Sequence, residues 1–274
     1  MDPNKLEKSP LGKETQYFEI YDALLLYPIP RDSKRAELEV PENLPFHGQD
    51  VWNAYELSWL NPKGKPQVAY GVFSLPCTSK YIVESKSLKL YLNSLNQTKF
   101  ASLEEVEQII RTDLSKVSQS EVEVTLFPPS KWNTIPINEF EGECIDHADI
   151  TVEKYQPDPG LLEVNEELTE ETLTSNLLKS NCPVTGQPDW ASIQIHYQGP
   201  KINHESLLKY LISFRNFNEF HEQCVERIFM DLSRHCNPTK LSVFAKYTRR
   251  GGLDINPFRS NFELLPQHTR NFRQ

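Results

Sequence analysis

Cys182 sits in the run Asn181-Cys182-Pro183-Val184-Thr185-Gly186-Gln187-Pro188-Asp189-Trp190, which brings a thiol, a carboxylate, two prolines and a glycine close together. Proline lacks an N–H and fixes φ, and glycine favours turns, so the segment is a shaped loop and not a helix. A cysteine presented on such a loop can attack an electrophilic carbon while a neighbouring acid protonates the atom that gains charge. The same pattern also fits a buried, inert thiol followed by a turn aspartate, because free cysteines are commonly small core residues.

Three further places carry residues suited to chemistry. Phe220-His221-Glu222 opens a helix whose apolar residues Val225, Ile228 and Leu232 share a face with His221. That spacing points His221 inward, where a satisfied core histidine is the commoner outcome. Glu222 beside it needs a donor, since a buried carboxylate without one is costly. Val83-Glu84-Ser85-Lys86-Ser87 stands where a strand hands over to a helix. The first turn there offers unpaired N–H groups, hydroxyls and a lysine to a phosphate, or equally an N-cap serine with solvated lysines. Arg249-Arg250-Gly251-Gly252 pairs arginine forks with glycines that permit close backbone approach to phosphate, or it is an exposed hairpin end. No GxGxxG or GxxxxGK[ST] motif exists, so a nucleotide cofactor would not be held by a Rossmann or P-loop unit. His221 with Cys224 and His235 with Cys236 form no compact quartet, and no metal is expected.

The elements that must position these residues come in two sets. In the first, an aromatic-rich strand is predicted over 17–27 and another over 67–75. Helices follow at about 87–96 and 103–117, the second with Val106, Ile109, Ile110 and Leu114 on one face, and 121–127 alternates as a strand. Pro128-Pro129 and the polar residues to 142 read as a connection. In the second set, the acidic run 163–171 reads as a solvated face or helix start. A strand at 192–197, a helix beginning at 207–212, a longer helix at 218–236 and a strand at 241–247 come after it. Strand, two helices and strand thus appear twice, as a repeat of pattern, and two modules are expected at 1–135 and 136–274, each an antiparallel sheet with paired helices on one face. Residues 1–16 read as a polar arm.

The bulk composition agrees with a two-unit chain. Its 274 residues exceed a usual domain of about 100–150. With 38 acidic against 29 basic residues it is not built to neutralise many phosphates, so no direct nucleic-acid partner is expected. No stretch approaches the ~20 apolar residues of a membrane span, and the N-terminus lacks an export core, so a cytoplasmic protein without membrane contact is expected. Cys77, Cys144, Cys182, Cys224 and Cys236 are widely spaced and odd in number, which suits reduced thiols.

Taken together, Glu84-Ser85-Lys86-Ser87-Leu88-Lys89-Leu90-Tyr91, the 182–189 loop, Phe220-His221-Glu222 and Arg249-Arg250-Gly251-Gly252 resemble the long, two-module form of the NADPH-dependent 7-cyano-7-deazaguanine reductases, the nitrile reductases of queuosine biosynthesis. The resemblance implies an α+β protein of two tandem tunnelling-fold modules, with ligand sites at seams between modules and association of subunits, expected as a homodimer. It implies that Cys182 adds to the nitrile carbon as a thioimidate, that Asp189 is the proton donor, and that NADPH is the cofactor. Val83, Glu84, Ser85, His221 and Glu222 fall at the family's substrate positions, and Ser85, Lys86, Arg250 and Gly251 at its cofactor positions. The competing readings are a metal-dependent pterin or purine cyclohydrolase of the same fold and a non-catalytic deazapurine-binding module.

Overall fold

In the computed structural model the described residues are 20–264 and 268–274. The polar arm and the first aromatics of the expected strand, Tyr17 and Phe18, lie outside them. The chain forms two compact units. One gathers residues up to Ala36 with Asp50–Pro136 and Arg249–Asp254, and the other gathers Glu37–Gln49, Ile137–Thr248 and Ile255–Gln274. A break falls at 136/137, beside the expected 135/136, but the 37–49 and 249–254 segments each belong to the unit on the far side of it.

The first unit contains β1 (Pro28–Pro30), most of α1 (Asp32–Glu37), β2 (His47–Leu60) from Asp50, β3 (Pro66–Pro76), β4 (Tyr81–Val83), α2 (Ser85–Ser94), α3 (Leu103–Ser118) and β5 (Glu123–Phe127). Its strands run in the order β5-β3-β2, and β3 meets β5 antiparallel with Phe73 opposite Val124. The strand predicted over 17–27 is absent from its described part. Asp22 instead accepts from the Leu24 N–H at 2.8 Å and caps a 3-10 turn at Ala23–Leu25, the kind of local bond by which aspartate diverts a backbone from a ladder. β2 escapes sequence reading because residues 50–54 are buried on both faces, which erases alternation. α3 follows its apolar spacing: Val106, Ile110 and Leu114 are fully buried, and Ser102 accepts from the Glu105 N–H at 3.2 Å.

The second unit contains β6 (Glu143–Cys144), β7 (Val164–Asn181), β8 (Pro188–Ile202), α4 (His204–Ser213), α5 (His221–Cys236), β9 (Lys240–Tyr247) and β10 (Leu253–Ser260) from Ile255. Its strand order is β10-β9-β8-β7-β6, antiparallel except for the parallel β6–β7 pair. The acidic run is solvated, yet it is the first half of β7 and no helix start. Pairing with β8, Glu171 opposite Tyr197, overrides the weak strand propensity of glutamate. α5 packs against β9 and β8, with Val225, Ile228 and Leu232 fully buried.

The repeat reaches residue identity. Ser87-Leu88, Tyr91-Leu92 and Ser94 of α2 match Ser206-Leu207, Tyr210-Leu211 and Ser213 of α4. Tyr91 donates to Asp113 of α3 at 2.7 Å, and Tyr210 donates to Asp231 of α5 at the same distance. Ser94 and Ser213 each donate to the carbonyl of that tyrosine at 2.6 Å. In each unit a buried phenol thus ties the two helices together, and burial pushes both phenols far above their ordinary pKa.

Candidate active site

The loop carrying Cys182 is the turn between β7 and β8. The Cys182 N–H donates to the Gln187 carbonyl at 2.8 Å, and the Gly186 N–H donates back to the Cys182 carbonyl at 3.0 Å. Gly186 closes the turn at φ 67°, a conformation that favours glycine. Opposite one another in the ladder stand Ser180 and Asp189, so their side chains share a face. Cys182 lies two residues beyond Ser180, which makes it the diagonal neighbour of Asp189, about 7 Å away between Cβ atoms. Thiol and acid are both largely enclosed, at 4% and 6% exposure.

A bulge decides which face that is. Ser175 pairs with Ile193 and Leu178 with Ala191, so β7 carries one residue more than β8 over this interval. Without it, alternation from Ser175 would send Asn181 inward and turn Cys182 away. Asp146 pins the bulge, accepting from the Ser175 hydroxyl at 2.6 Å and the Asn176 N–H at 2.9 Å.

His221 is the first residue of α5, and its Nε2 lies 3.6 Å from Asp189 Oδ1. The second unit therefore brings Asp189 and His221 together on the face that Cys182 shares. Glu222 follows in the first helical turn and is 2% exposed, a position where the unpaired N–H groups of a helix start favour a carboxylate. Sequence reasoning missed Glu219. Its N–H donates to the Asn181 carbonyl at 3.0 Å, next to the cysteine, and its buried carboxylate accepts from Arg227 Nε at 3.1 Å and Nη2 at 3.0 Å. Burial alone would depress the Arg227 guanidinium, but Glu219 outweighs it and raises it overall. The signal available was a second acid in Asn218-Glu219-Phe220-His221-Glu222.

In the first unit Val83 ends β4, 2% exposed, and Glu84, fully buried, caps α2. Its two oxygens accept from the Lys86 and Ser87 N–H groups, each at 2.8 Å. The cap is thus a glutamate and not the serine weighed above, and it engages the Lys86 and Ser87 N–H groups considered for a phosphate. Burial raises the Glu84 pKa, with the Lys86 and Ser87 N–H bonds opposing it. Arg250 and Gly251 form a tight turn, the Arg250 N–H donating to the Leu253 carbonyl at 2.8 Å, with Gly251 at φ 62° and Gly252 at φ 78°. A shallow cleft joins this turn to α2 through Glu56, Lys89, Asn93, Gly251 and Gly252. Lys89 lies one turn beyond Ser85 and Lys86 on the same helix face.

Among the described residues one group of potential metal ligands comes together, Glu143, Glu171 and His204. His204 offers opposite ring nitrogens to the two acids, Nε2 to Glu171 at 3.2 Å and Nδ1 to Glu143 at 3.5 Å, which is the pattern of a hydrogen-bonded histidine and not of chelation. All five cysteines are free. Burial pushes the Cys224 and Cys236 thiols up to about 12, so they stay protonated and unreactive at neutral pH. No helix among the described residues is long and apolar enough to cross a membrane.

Residues 17–126 match the family described as "Nitrile reductase, 7-cyano-7-deazaguanine-reductase N-term", and residues 188–264 match "QueF-like protein". A protein of Cupriavidus taiwanensis is 58% identical over 273 residues, and one of Paraburkholderia phymatum is 55% identical over 271. Each alignment covers 98% of this chain and 99% of the relative, and both relatives are named NADPH-dependent 7-cyano-7-deazaguanine reductase. A solved archaeosine synthase QueF-Like chain in the apo form aligns at 17% identity and a TM-score of 0.31, covering 36% of this chain and 99% of that one, too slight a likeness to argue from. On the strength of its near full-length relatives, the chain belongs to the family of NADPH-dependent 7-cyano-7-deazaguanine reductases.

Proposed function

We propose that this protein reduces the nitrile of 7-cyano-7-deazaguanine to the primary amine 7-aminomethyl-7-deazaguanine with NADPH, in the cytoplasmic synthesis of queuosine. The observation that carries the reading is the convergence of Cys182, Asp189 and His221 on one face of the second unit. The Cys182 thiolate adds to the nitrile carbon, forming a C–S bond as one C–N π bond breaks, and Asp189 gives its proton to the nitrogen, leaving a covalent thioimidate. NADPH, when bound, supplies a hydride to that carbon and, in a second equivalent, to the imine left when sulfur departs. Each hydride is matched by a proton delivered to nitrogen, so two NADPH and two protons are consumed per amine. His221 relays protons to Asp189 and borders the nitrile pocket. The enclosure of Cys182 and Asp189 keeps water from competing for the thioimidate.

Val83, Glu84, Ser85, His221 and Glu222 are assigned to the substrate. A guanine-type edge offers N–H donors, and carboxylates only accept, so Glu84 and Glu222 suit it and penalise an adenine-type ring. Ser85, Lys86, Arg250 and Gly251 are assigned to the cofactor. The Gly251-Gly252 turn fits that role, since a Cβ at Gly251 would fall 3.1 Å from Lys89 Nζ. The repeated tyrosine–aspartate ties support two tandem tunnelling-fold modules, and we assign a homodimer without a nucleic-acid partner.

The test is consumption of NADPH, followed by its absorbance, on addition of 7-cyano-7-deazaguanine, with Cys182→Ala as control. Loss of turnover in the variant supports the reading. Turnover at the wild-type rate rules out the thioimidate, and tight substrate binding with no oxidation by the wild type favours a binding module.

A further inference from the structure

The face of the second unit that carries Ser180 and Asp189 also carries Tyr247. β9 pairs with β8 so that Tyr247 stands opposite Ala191, two residues along from Asp189 and on the same side of the sheet. Its ring meets the His221 imidazole edge to face, with centroids 4.0 Å apart and planes inclined at 63°. That is closer than the ~4.5–7 Å usual for aromatic pairs. The imidazole Nε2 in turn lies 3.6 Å from Asp189. An imidazole on the first residue of a helix can rotate about two side-chain bonds unless a neighbour fixes its plane.

Tyr247 is itself firmly seated. It is 1% exposed, and its carbonyl accepts from Gln274 Nε2 at 3.1 Å, while Gln274 also donates to the buried Asn256 at 2.6 Å. The phenol oxygen faces away from solvent, beside the Cys224 thiol and the Ser180 hydroxyl, with neither reaching full hydrogen-bond geometry. Burial pushes this phenol far above its ordinary pKa, and the neighbouring thiol is held protonated, so no proton leaves through the hydroxyl at neutral pH.

We propose that Tyr247 is a positioning residue for nitrile reduction, whose ring and not its hydroxyl holds the His221 imidazole with Nε2 toward Asp189. This rests on the function proposed above and adds a residue that does not touch the reacting atoms. The ring acts through His221, so its loss lowers the rate of proton delivery and leaves the substrate contacts of the glutamates in place.

The experiment compares Tyr247→Leu, Tyr247→Phe, His221→Ala and the Tyr247→Leu/His221→Ala double variant in steady-state turnover of 7-cyano-7-deazaguanine. Tyr247→Leu is expected to lower kcat at least about tenfold, with KM for the nitrile within about threefold. Tyr247→Phe restores kcat, and the leucine change costs nothing further once His221 is gone. An unchanged kcat in Tyr247→Leu, full additivity with His221→Ala, or failure of phenylalanine to rescue overturns the proposal. Should the leucine variant not fold, the His221 ring proton resonances of the wild type, assigned by their loss in His221→Gln, decide the matter. Displacement by the ring current of Tyr247, retained in Tyr247→Phe, supports the contact, and resonances at free-imidazole positions refute it. If the wild type does not turn over the nitrile, the proposed function fails and Tyr247 falls with it. If the wild type is active and the leucine variant equally so, Tyr247 alone is wrong.

Discussion

Cys182 stands diagonally across the β7–β8 hairpin from Asp189, and in the proposed reaction the nitrile lies between sulfur and carboxyl. Asp189→Asn keeps the shape and removes the proton, so kcat should fall about 10²- to 10⁴-fold with little change in substrate binding, as steady-state kinetics and equilibrium titration would show. Glu84 makes a prediction about stability. Its pKa is raised above the ordinary 4.5, chiefly by burial, so its contribution is full below that value and is lost as pH rises through the raised one. Glu84→Gln cannot ionise there, so the decline of Tm with pH above about 4.5 should be shallower in the variant than in the wild type. As candidates, Cys182, Asp189, His221 and Glu222 stand out in the sequence because a thiol in a proline–glycine loop and acids at a helix start are unusual by type alone. Glu219 and the capping role of Glu84 were not, since each depends on a backbone partner that only the folded chain supplies.

Among the elements, the bulge in β7 is the feature on which the orientation of Cys182 depends. Asp146→Ala removes both acceptors that hold it, and slippage by one residue would turn Cys182 off the Asp189 face. Labelling of Cys182 by the nitrile substrate should slow in that variant while helix content, followed by circular dichroism, is retained. The Gly251-Gly252 turn is similarly constrained. In Gly252→Ala the new Cβ would lie 2.4 Å from Glu56 Cδ at a φ of 78°, so urea denaturation should show a loss of about 1–2 kcal/mol. Glu56 must then move from Lys89, which it approaches at 3.4 Å, and KM for NADPH should change more than kcat. Helix α3 was readable because one face is buried and one solvated, and α5, although buried on nearly every side from Glu222 to Leu232, because Val225, Ile228 and Leu232 still keep helical spacing. β2 and β7 were not, the first being buried on two faces and the second acidic along its exposed half, so that neither shows the period of two on which a strand is recognised.

For the molecule as a whole, the repeated Ser-Leu, Tyr-Leu and Ser positions in α2 and α4 give two units the same internal tie, while the thiol loop and His221 belong to the second alone. Pattern reading found the repeat of elements but not these identities, which lie in helices otherwise different in charge. Cys224 and Cys236 are kept protonated by burial, and Cys182 stands diagonally across the β7–β8 hairpin from Asp189. The most direct measurement is the intact mass of the protein after incubation with 7-cyano-7-deazaguanine in the absence of NADPH. Covalent capture predicts a gain of one substrate mass in the wild type, located on the peptide containing Cys182 and missing from Cys182→Ala. An unmodified wild type that still reduces the nitrile when NADPH is added, or an adduct that persists in the alanine variant, would contradict it.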